Sequence, residues 1–377
     1  MATTALTPEQ KREAVEAVKL HGSKQAAADA LGISRGAFNN RYRQGIAAGF
    51  DDAIVAPAPS GHRVKGVSTL HNKDGGIIAQ WVKTTADGLS VDELIETIKD
   101  AFEEFPATSR ASTDEIGPMS PDLATVYPIA DWHVGLLAWN KETGTDWDLP
   151  IAKAVIEKTM LRLFSISPQT DTAVILGLGD LLHSDGYENT TAKSKNLLDV
   201  DGRWPKVLRA ATELLIFTVE EALLHHNKVL VRILPGNHAE ESAIAVALAL
   251  GCFYRDNPRV EVDSDPSRFW WWRWGVTFLG ATHGDKAKMK DLPLLMATRN
   301  PSDWAASKFR HIYTGHIHTD TSLELAGVKV ESFQTPVAPD AWHTSMGYGA
   351  GRSVQAIVLH KELGEISRQR SNIITGV

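Results

Sequence analysis

The sequence predicts an α/β domain preceded by a small all-α module, and two observations carry that prediction. From Ala124 onward, short β-rich runs that each end in a polar cluster alternate with longer helical segments. Residues 6 to 48 instead carry apolar positions at helical spacing.

The helical spacing runs through Glu13-Ala-Val-Glu-Ala-Val-Lys-Leu20 and again through Gln25-Ala-Ala-Ala-Asp-Ala-Leu31, and Gly32 breaks it. Ser34 is a suitable N-cap for a third helix from about Arg35, which Gly45 is expected to end. The alanine-, proline- and glycine-rich stretch 53–61 reads as a linker. Two β-rich runs, 62–70 and 77–83, flank Asn72-Lys-Asp-Gly-Gly76 and predict a hairpin. Ser90 then caps an expected helix of about Val91 to Phe105, followed by a polar connector up to Leu123. Beyond it, strands are expected at 125–130, 173–178, 229–234, 276–281 and 311–314, with helices at about 149–164 and 203–226. The resulting division is 1–50 for the helical module, 51–122 for linker, hairpin and connector, and 123–377 for the α/β domain.

Composition narrows the function classes. With 377 residues, 43% of them hydrophobic, the chain can form one large domain and a smaller appendage. One cysteine, Cys252, excludes an intramolecular disulfide framework, and a cytoplasmic setting is the working expectation. No apolar run approaches the roughly 18 to 20 residues that span a bilayer, so no membrane partner is expected. The net charge of −7 argues against a uniformly basic nucleic-acid binder, yet leaves room for a local basic surface.

The predicted strands run straight into ligand-type clusters: Asp131-Trp-His133, Gly179-Asp180-Leu-Leu-His183, Gly236-Asn237-His238, His283-Gly-Asp285 and Gly315-His316-Ile-His318. Ligands at strand ends converge on one edge of a sheet. Strand side chains alternate faces, so Asp131 and His133, like His316 and His318, are expected to point the same way. The glycines beside Asp180, Asn237 and His316 are expected to let the backbone turn sharply. Imidazole and carboxylate together suit borderline divalent ions, and a carboxylate can bridge two of them.

In this order the five clusters resemble the calcineurin-like metallophosphoesterase superfamily, over about Ala124 to Val358. The resemblance implies two packed mixed β-sheets flanked by helices, and two divalent metal ions: manganese first, with iron, zinc or nickel as alternatives. It implies that Asp131, His133 and His318 hold the first ion, that Asp180 bridges, and that Asn237, His283 and His316 hold the second. His238 would contact the phosphate and assist the leaving group as an acid. His183 stands where many members have an aspartate, and Gly179-Asp-Leu-Leu-His-Ser184 looks like the corresponding segment of the double-strand-break-repair nucleases. Asp180, His183 and His238 are therefore the catalytic candidates. Ala239 displaces the usual acidic residue after Asn237-His238, with Glu240 and Glu241 following.

Separately, Gln25-Ala-Ala-Ala-Asp-Ala-Leu-Gly-Ile-Ser-Arg35 resembles a helix-turn-helix. Arg35, Asn39, Asn40, Arg41 and Arg43 would then meet phosphates and base edges of DNA. Together these resemblances imply a two-metal phosphodiesterase that uses a metal-bound hydroxide, with DNA as substrate, acting as an exo- or endonuclease. The alternatives are a phosphodiesterase or phosphatase acting on a small nucleotide or a phosphoprotein, its N-terminal module binding a partner, and a DNA-binding regulator with a vestigial metal site. A homodimer and an ATPase partner follow only from the resemblance. A small DNA-binding module joined to a stand-alone phosphoesterase fits a phage-like protein.

Other features have plainer readings. Phe269-Trp-Trp-Trp-Arg-Trp274 is expected to be a strand covered on both faces and one arm of a hairpin, rather than a platform for bases. Lys193, Lys195 and Arg203 belong to a solvated loop, although they could line a groove. His343 is assigned a structural role, and His225 and His226 close a helix whose dipole favours a cation.

Overall fold

The structure is a computed structural model and describes residues 6–47, 50, 62–71, 77–86, 113–191 and 195–374. The chain divides into two compact units, residues 1–90 and 91–377.

The first unit holds α1 (Pro8–His21), α2 (Lys24–Ala30), α3 (Arg35–Ala47), β1 (His62–His71) and β2 (Ile77–Ala86). Side chains begin each helix: Thr7 and Gln10 form a reciprocal capping box on α1, Ser23 accepts from the Ala26 N–H, and Ser34 accepts from the Ala37 N–H. Ala14, Ala17, Ala27, Ala28 and Phe38 form the small core between the helices. Gly45 does not end α3. It lies inside the helix, where an added Cβ would stand 2.3 Å from the Lys11 carbonyl oxygen and 2.7 Å from Val15. The residue is glycine because α1 and α3 approach closely there. β1 and β2 pair antiparallel. The reversal 72–76, the linker 53–61, the helix expected over 91–105 and Lys193 lie outside the described residues.

The second unit contains β3 (Leu123–Ile129), α4 (Asn140–Thr143), α5 (Leu149–Ile166), β4 (Thr172–Gly177), α6 (Trp204–Leu223), β5 (Lys228–Ile233), α7 (Glu241–Phe253), β6 (Val260–Asp263), β7 (Phe269–Trp274), β8 (Thr277–Thr282), α8 (Leu292–Arg299), α9 (Pro301–Ala306), β9 (Phe309–Thr314), β10 (Thr321–Leu325), β11 (Val328–Ser332), α10 (Ala341–Ser345), β12 (Ser353–His360) and β13 (Gly364–Asn372). A six-stranded sheet has the order β13-β12-β3-β4-β5-β6, and a five-stranded sheet the order β10-β11-β9-β8-β7. Both are mixed: β3 to β6 run parallel, as do β8, β9 and β11, while β7, β10, β12 and β13 pair antiparallel with their neighbours.

The sheets pack face to face. Val126, Val174, Leu176 and Ile357 of one meet Trp270, Leu279, Ala281 and Tyr313 of the other in a single buried cluster. Helices α5, α6 and α7 lie on the six-stranded sheet, and α8 packs through Leu292 and Met296 onto Phe278, Ile312 and Val328 of the five-stranded one. This is an α/β fold of two packed mixed sheets flanked by helices. The aromatic run forms β7, paired with β8: Trp270, Trp272 and Trp274 face the inter-sheet core, and Phe269 and Trp271 face the α8 side. His226 departs from its expected role. It is fully buried against Tyr127 and Thr170, and burial pulls its pKa down to about 4, so it carries no charge for a helix end near neutral pH. Among the described residues no helix is long and apolar enough to cross a membrane.

Candidate metal centre

Because β3, β4 and β5 are parallel, and β8, β9 and β11 likewise, the loops leaving their carboxyl ends share an edge within each sheet. The clusters lie in those loops, not on the strands. Asp131, His133, Asp180, His316 and His318 stand at φ values of 50°, 37°, 46°, 71° and 56°. Strand alternation therefore does not orient the Asp131/His133 and His316/His318 pairs. Left-handed turns do, at a cost of about 1 to 3 kcal/mol for each sparsely populated conformation. Aspartate, asparagine and histidine are among the residue types that enter this region most readily.

Hydrogen bonds fix the turns. The His133 and Val134 N–H groups donate to the Asp180 and Leu181 carbonyls at 2.9 Å, and the His183 N–H returns to the Val134 carbonyl at 3.0 Å. The His316 N–H donates to both Asp131 carboxylate oxygens at 3.0 Å, and the Thr335 hydroxyl donates to the Asp131 carbonyl at 2.6 Å. Gly179, at φ 96°, makes a turn as expected, but Gly236 and Gly315 serve close approach. A Cβ at Gly236 would lie 2.0 Å from an Asp180 carboxylate oxygen, and one at Gly315 would lie 2.4 Å from an Asp131 oxygen.

All seven expected ligand residues come together, in two adjoining groups. In the first, the ligand atoms of Asp131, His133 and His318 lie within 4.8 Å of one another. Asp131 Oδ1 is 3.4 Å from His318 Nε2, and the His133 and His318 Nε2 atoms are 3.1 Å apart. The second brings Asp180, His283 and His316 within the same distance. His283 Nε2 is 3.1 Å from Asp180 Oδ2 and 3.0 Å from Asn237 Oδ1. His283 Nδ1, 4.0 Å from Asp131 Oδ1, links the groups. Asp131, His133, Asp180 and His283 are buried, whereas His316 is exposed and opens the centre to solvent.

Charge is the distinctive property of this place. Two buried carboxylates stand among imidazoles, and among the described residues neither Asp131 nor Asp180 forms an ion pair with a lysine or arginine. Burial, reinforced by His238 and His318, holds His133 well below the usual imidazole range, so it is neutral and able to offer a lone pair. Burial alone would lower His283 too, but the Asp180 and Asp131 carboxylates outweigh it and raise the ring to about 9. Asp180 is held well below the carboxylate range because His283, His238 and His133 outweigh its burial. His283 Nδ1–H donates to the Leu178 carbonyl at 2.8 Å, which turns Nε2 towards Asp180 and Asn237. Such an outer bond is what orients a metal-binding histidine. Carboxylate and imidazole donors, converging in two groups with no lysine or arginine paired to them among the described residues, fit a pair of borderline divalent ions.

The other catalytic candidates border both groups. The His238 N–H donates to Asp180 Oδ1 at 2.7 Å, and its Nδ1–H donates to the His183 carbonyl at 2.8 Å, while Nε2 has no hydrogen-bond partner among the described residues. His183 is buried, with Nδ1 3.3 Å from His133 Nδ1, and its ring stacks on that of His238. Burial, with His238 beside it, drives its pKa down to about 3.

Two residues outside the expected set stand beside the centre. His343, expected to be structural, stacks its ring on that of His318 at 5.1 Å, and its Nδ1–H is held by Asp340 at 2.7 Å. Asp185 accepts from the N–H groups of Glu240, Glu241 and Ser242, each at 2.8 Å, and from the Ser242 hydroxyl. It thereby ties the start of α7 to the His183 loop. Ala239 is fully buried, and Glu240 pairs with Arg268 instead of replacing the displaced acidic group. Lys195 pairs with Glu188, and the Arg203 guanidinium lies over Tyr187. In the first unit, Arg35, Asn39, Asn40 and Arg43 are exposed on α3 and Arg41 is half-buried, while Phe38 is turned into the core.

No family model matches the chain, and no curated protein is similar to it in sequence. Among solved structures, an archaeal phosphodiesterase shares 13% identity, with 66% of this chain and 99% of that one covered and a TM-score of 0.32. Zinc-complexed Vps29 from Entamoeba histolytica shares 12% identity over 66% of this chain and 98% of its own, with a TM-score of 0.28. A conserved uncharacterized protein of Streptococcus pneumoniae, described as a predicted phosphoesterase, shares 10% over 67% and 98%, with a TM-score of 0.27. The functional reading rests on the centre itself.

Proposed function

We propose that the chain is a two-metal-dependent phosphodiesterase, with DNA as its substrate. The observation that supports this reading is the pair of adjoining donor groups around buried Asp131 and Asp180, with no lysine or arginine paired to either among the described residues. Asp131, His133 and His318 would hold one ion and Asn237, His283 and His316 the other, with Asp180 between them. Two bound divalent ions supply Lewis acidity, which polarises a phosphoryl group and lowers the pKa of water.

The remaining steps belong to the chain's own residues. His283, fixed through its Nδ1–H on Leu178, and His316, tethered through its N–H to Asp131, keep their donors in register. His238, clamped at its N–H and Nδ1, presents Nε2 to the departing oxygen and donates the proton that it requires. His183 sets the plane of His238 by stacking on it. The exposed Arg35, Asn39, Asn40 and Arg43 of α3 favour DNA, since guanidinium and amide groups on one helix suit phosphates and base edges. A second reading keeps the chemistry but takes a small phosphodiester, nucleotide or phosphoprotein as substrate, with the first unit engaging a protein.

The test is hydrolysis with manganese of linear and circular DNA beside bis-p-nitrophenyl phosphate. His238→Ala is expected to lower the rate on DNA by about 10²- to 10⁴-fold. Cleavage of circular DNA would mark an endonuclease. Hydrolysis of the small ester alone would replace DNA with the second reading, and inactivity with manganese, iron, zinc and nickel would overturn the proposal.

A further inference from the structure

We infer that an aromatic shelf beside the metal centre binds the nucleobase of an unpaired nucleotide next to the phosphate to be cleaved, an assignment that rests on the phosphodiesterase reading. The shelf is built on α10. Asp340 caps this short helix by accepting the His343 N–H at 2.7 Å, and the same carboxylate oxygen holds His343 Nδ1 at 2.7 Å. His343 is thus fixed twice. One face of its ring is covered by His318, at 5.1 Å and 18° between planes, so the shelf starts on a side chain of the first donor group.

Two rings continue outward. Trp342 meets His343 edge-on at 5.0 Å and 88°, and Tyr348 lies 5.7 Å from Trp342, tilted by 38°. Neither ring covers the other in parallel, and Trp342 and Tyr348 are 58% and 57% exposed. Helix α4 packs beside α10 and adds Trp139, also 58% exposed, with the Lys141 ammonium 5.6 Å from its ring. Exposed rings scattered singly are common, whereas exposed rings grouped together mark a binding surface.

Open aromatic faces reached in two ring-to-ring steps from a metal-centre histidine, with a cation on the neighbouring short helix, match a nucleotide: phosphate at the donors, base on the rings. A base inside a duplex has both faces occupied by its neighbours, so the shelf selects single strands, frayed ends or dinucleotides. His343 takes no base, because His318 covers one face of its ring and Trp342 and Tyr348 crowd it edge-on at 5.0 and 6.1 Å. Its part is to hold Trp342 and Tyr348 at a set distance from the centre.

The experiment compares dithymidine monophosphate with an analogue lacking both bases, so that a single phosphodiester is available in each. With manganese, the base-bearing compound is expected to be favoured in kcat/KM by about five- to 150-fold. In the Trp342→Ala/Tyr348→Ala variant that ratio should fall towards one, while Trp342→Phe retains most of it. Calorimetric titration of the protein with thymidine 5′-monophosphate and with deoxyribose 5-phosphate reads binding without turnover, and base-dependent heat lost in the double variant supports the shelf. Equal ratios in wild type and variant would overturn the shelf and leave the phosphodiesterase standing. If neither compound is hydrolysed, the phosphodiesterase reading fails, and base-independent binding would then remove the shelf as well.

Discussion

Histidine and carboxylate crowd together in two regions of the second unit. At the strand-end loops they do so around Asp131 and Asp180, and elsewhere His311 and Glu331 of the five-stranded sheet and Glu365 of β13 bring their ligand atoms within 4.8 Å as well. The second cluster already has its cations. Arg368 donates to Glu331 at 2.9 and 3.1 Å and to Glu365 at 2.8 and 2.9 Å, and Lys329 lies 2.8 Å from Glu331. Around Asp131 and Asp180, among the described residues, only imidazoles stand opposite the carboxylates. Proximity of ligand-type atoms is therefore a poor criterion for a metal site, whereas buried carboxylates partnered by imidazoles and not by lysine or arginine are a good one.

The comparison can be broken most sharply at Asp180. Asp180→Asn is expected to lower phosphodiester hydrolysis on the order of 10³-fold or more and to abolish the rise in melting temperature that manganese gives the wild type. Glu331→Gln should leave both untouched but lower the unfolding free energy by about 1.5 to 3 kcal/mol in denaturant titrations, through lost bonds to charged partners. A manganese response that depended on Glu331 would reverse the roles of the two clusters.

A pH titration sharpens the same contrast. Burial alone would raise Glu331, but its bonds to His311, Arg368 and Lys329 outweigh that and take it from an ordinary 4.5 to about 2. The folded value is the lower one, so this stabilisation is complete above 4.5 and is lost as pH falls from 4.5 towards 2. Unfolding free energy should rise with pH across that window in the wild type and do so less in Glu331→Gln. The smallest effect is expected for Asp185→Ala, about 1 to 2 kcal/mol for the lost cap on α7, measured by thermal unfolding.

The extent to which each part was legible in the sequence follows from range. The strands that lead into the ligand clusters, the aromatic hairpin arm and the seven converging residues could be read, because β-rich runs ending in histidine, aspartate and asparagine carry both signals in adjacent letters. Asp185 could not be read as the cap of α7, since its partners begin 55 residues later at Glu240. Gly45 looked like a stop because its reason, the Lys11 carbonyl of another helix, lies elsewhere in the chain. His226 looked like a helix-end cation because nothing local announces Tyr127, its partner at 2.8 Å. The neighbours of His343 are out of local view for the same reason, since only the fold lays it on His318.

The left-handed backbone at Asp131, His133, Asp180, His316 and His318 also limits how this centre can drift. An alanine at any of these positions removes a donor group and strains the main chain by about 1 to 2 kcal/mol. Asparagine and glycine stand in that conformation at far less cost. A lineage losing the chemistry while keeping the fold is therefore expected to pass through asparagine or glycine at these positions, so that its loops keep their shape after the donors have gone.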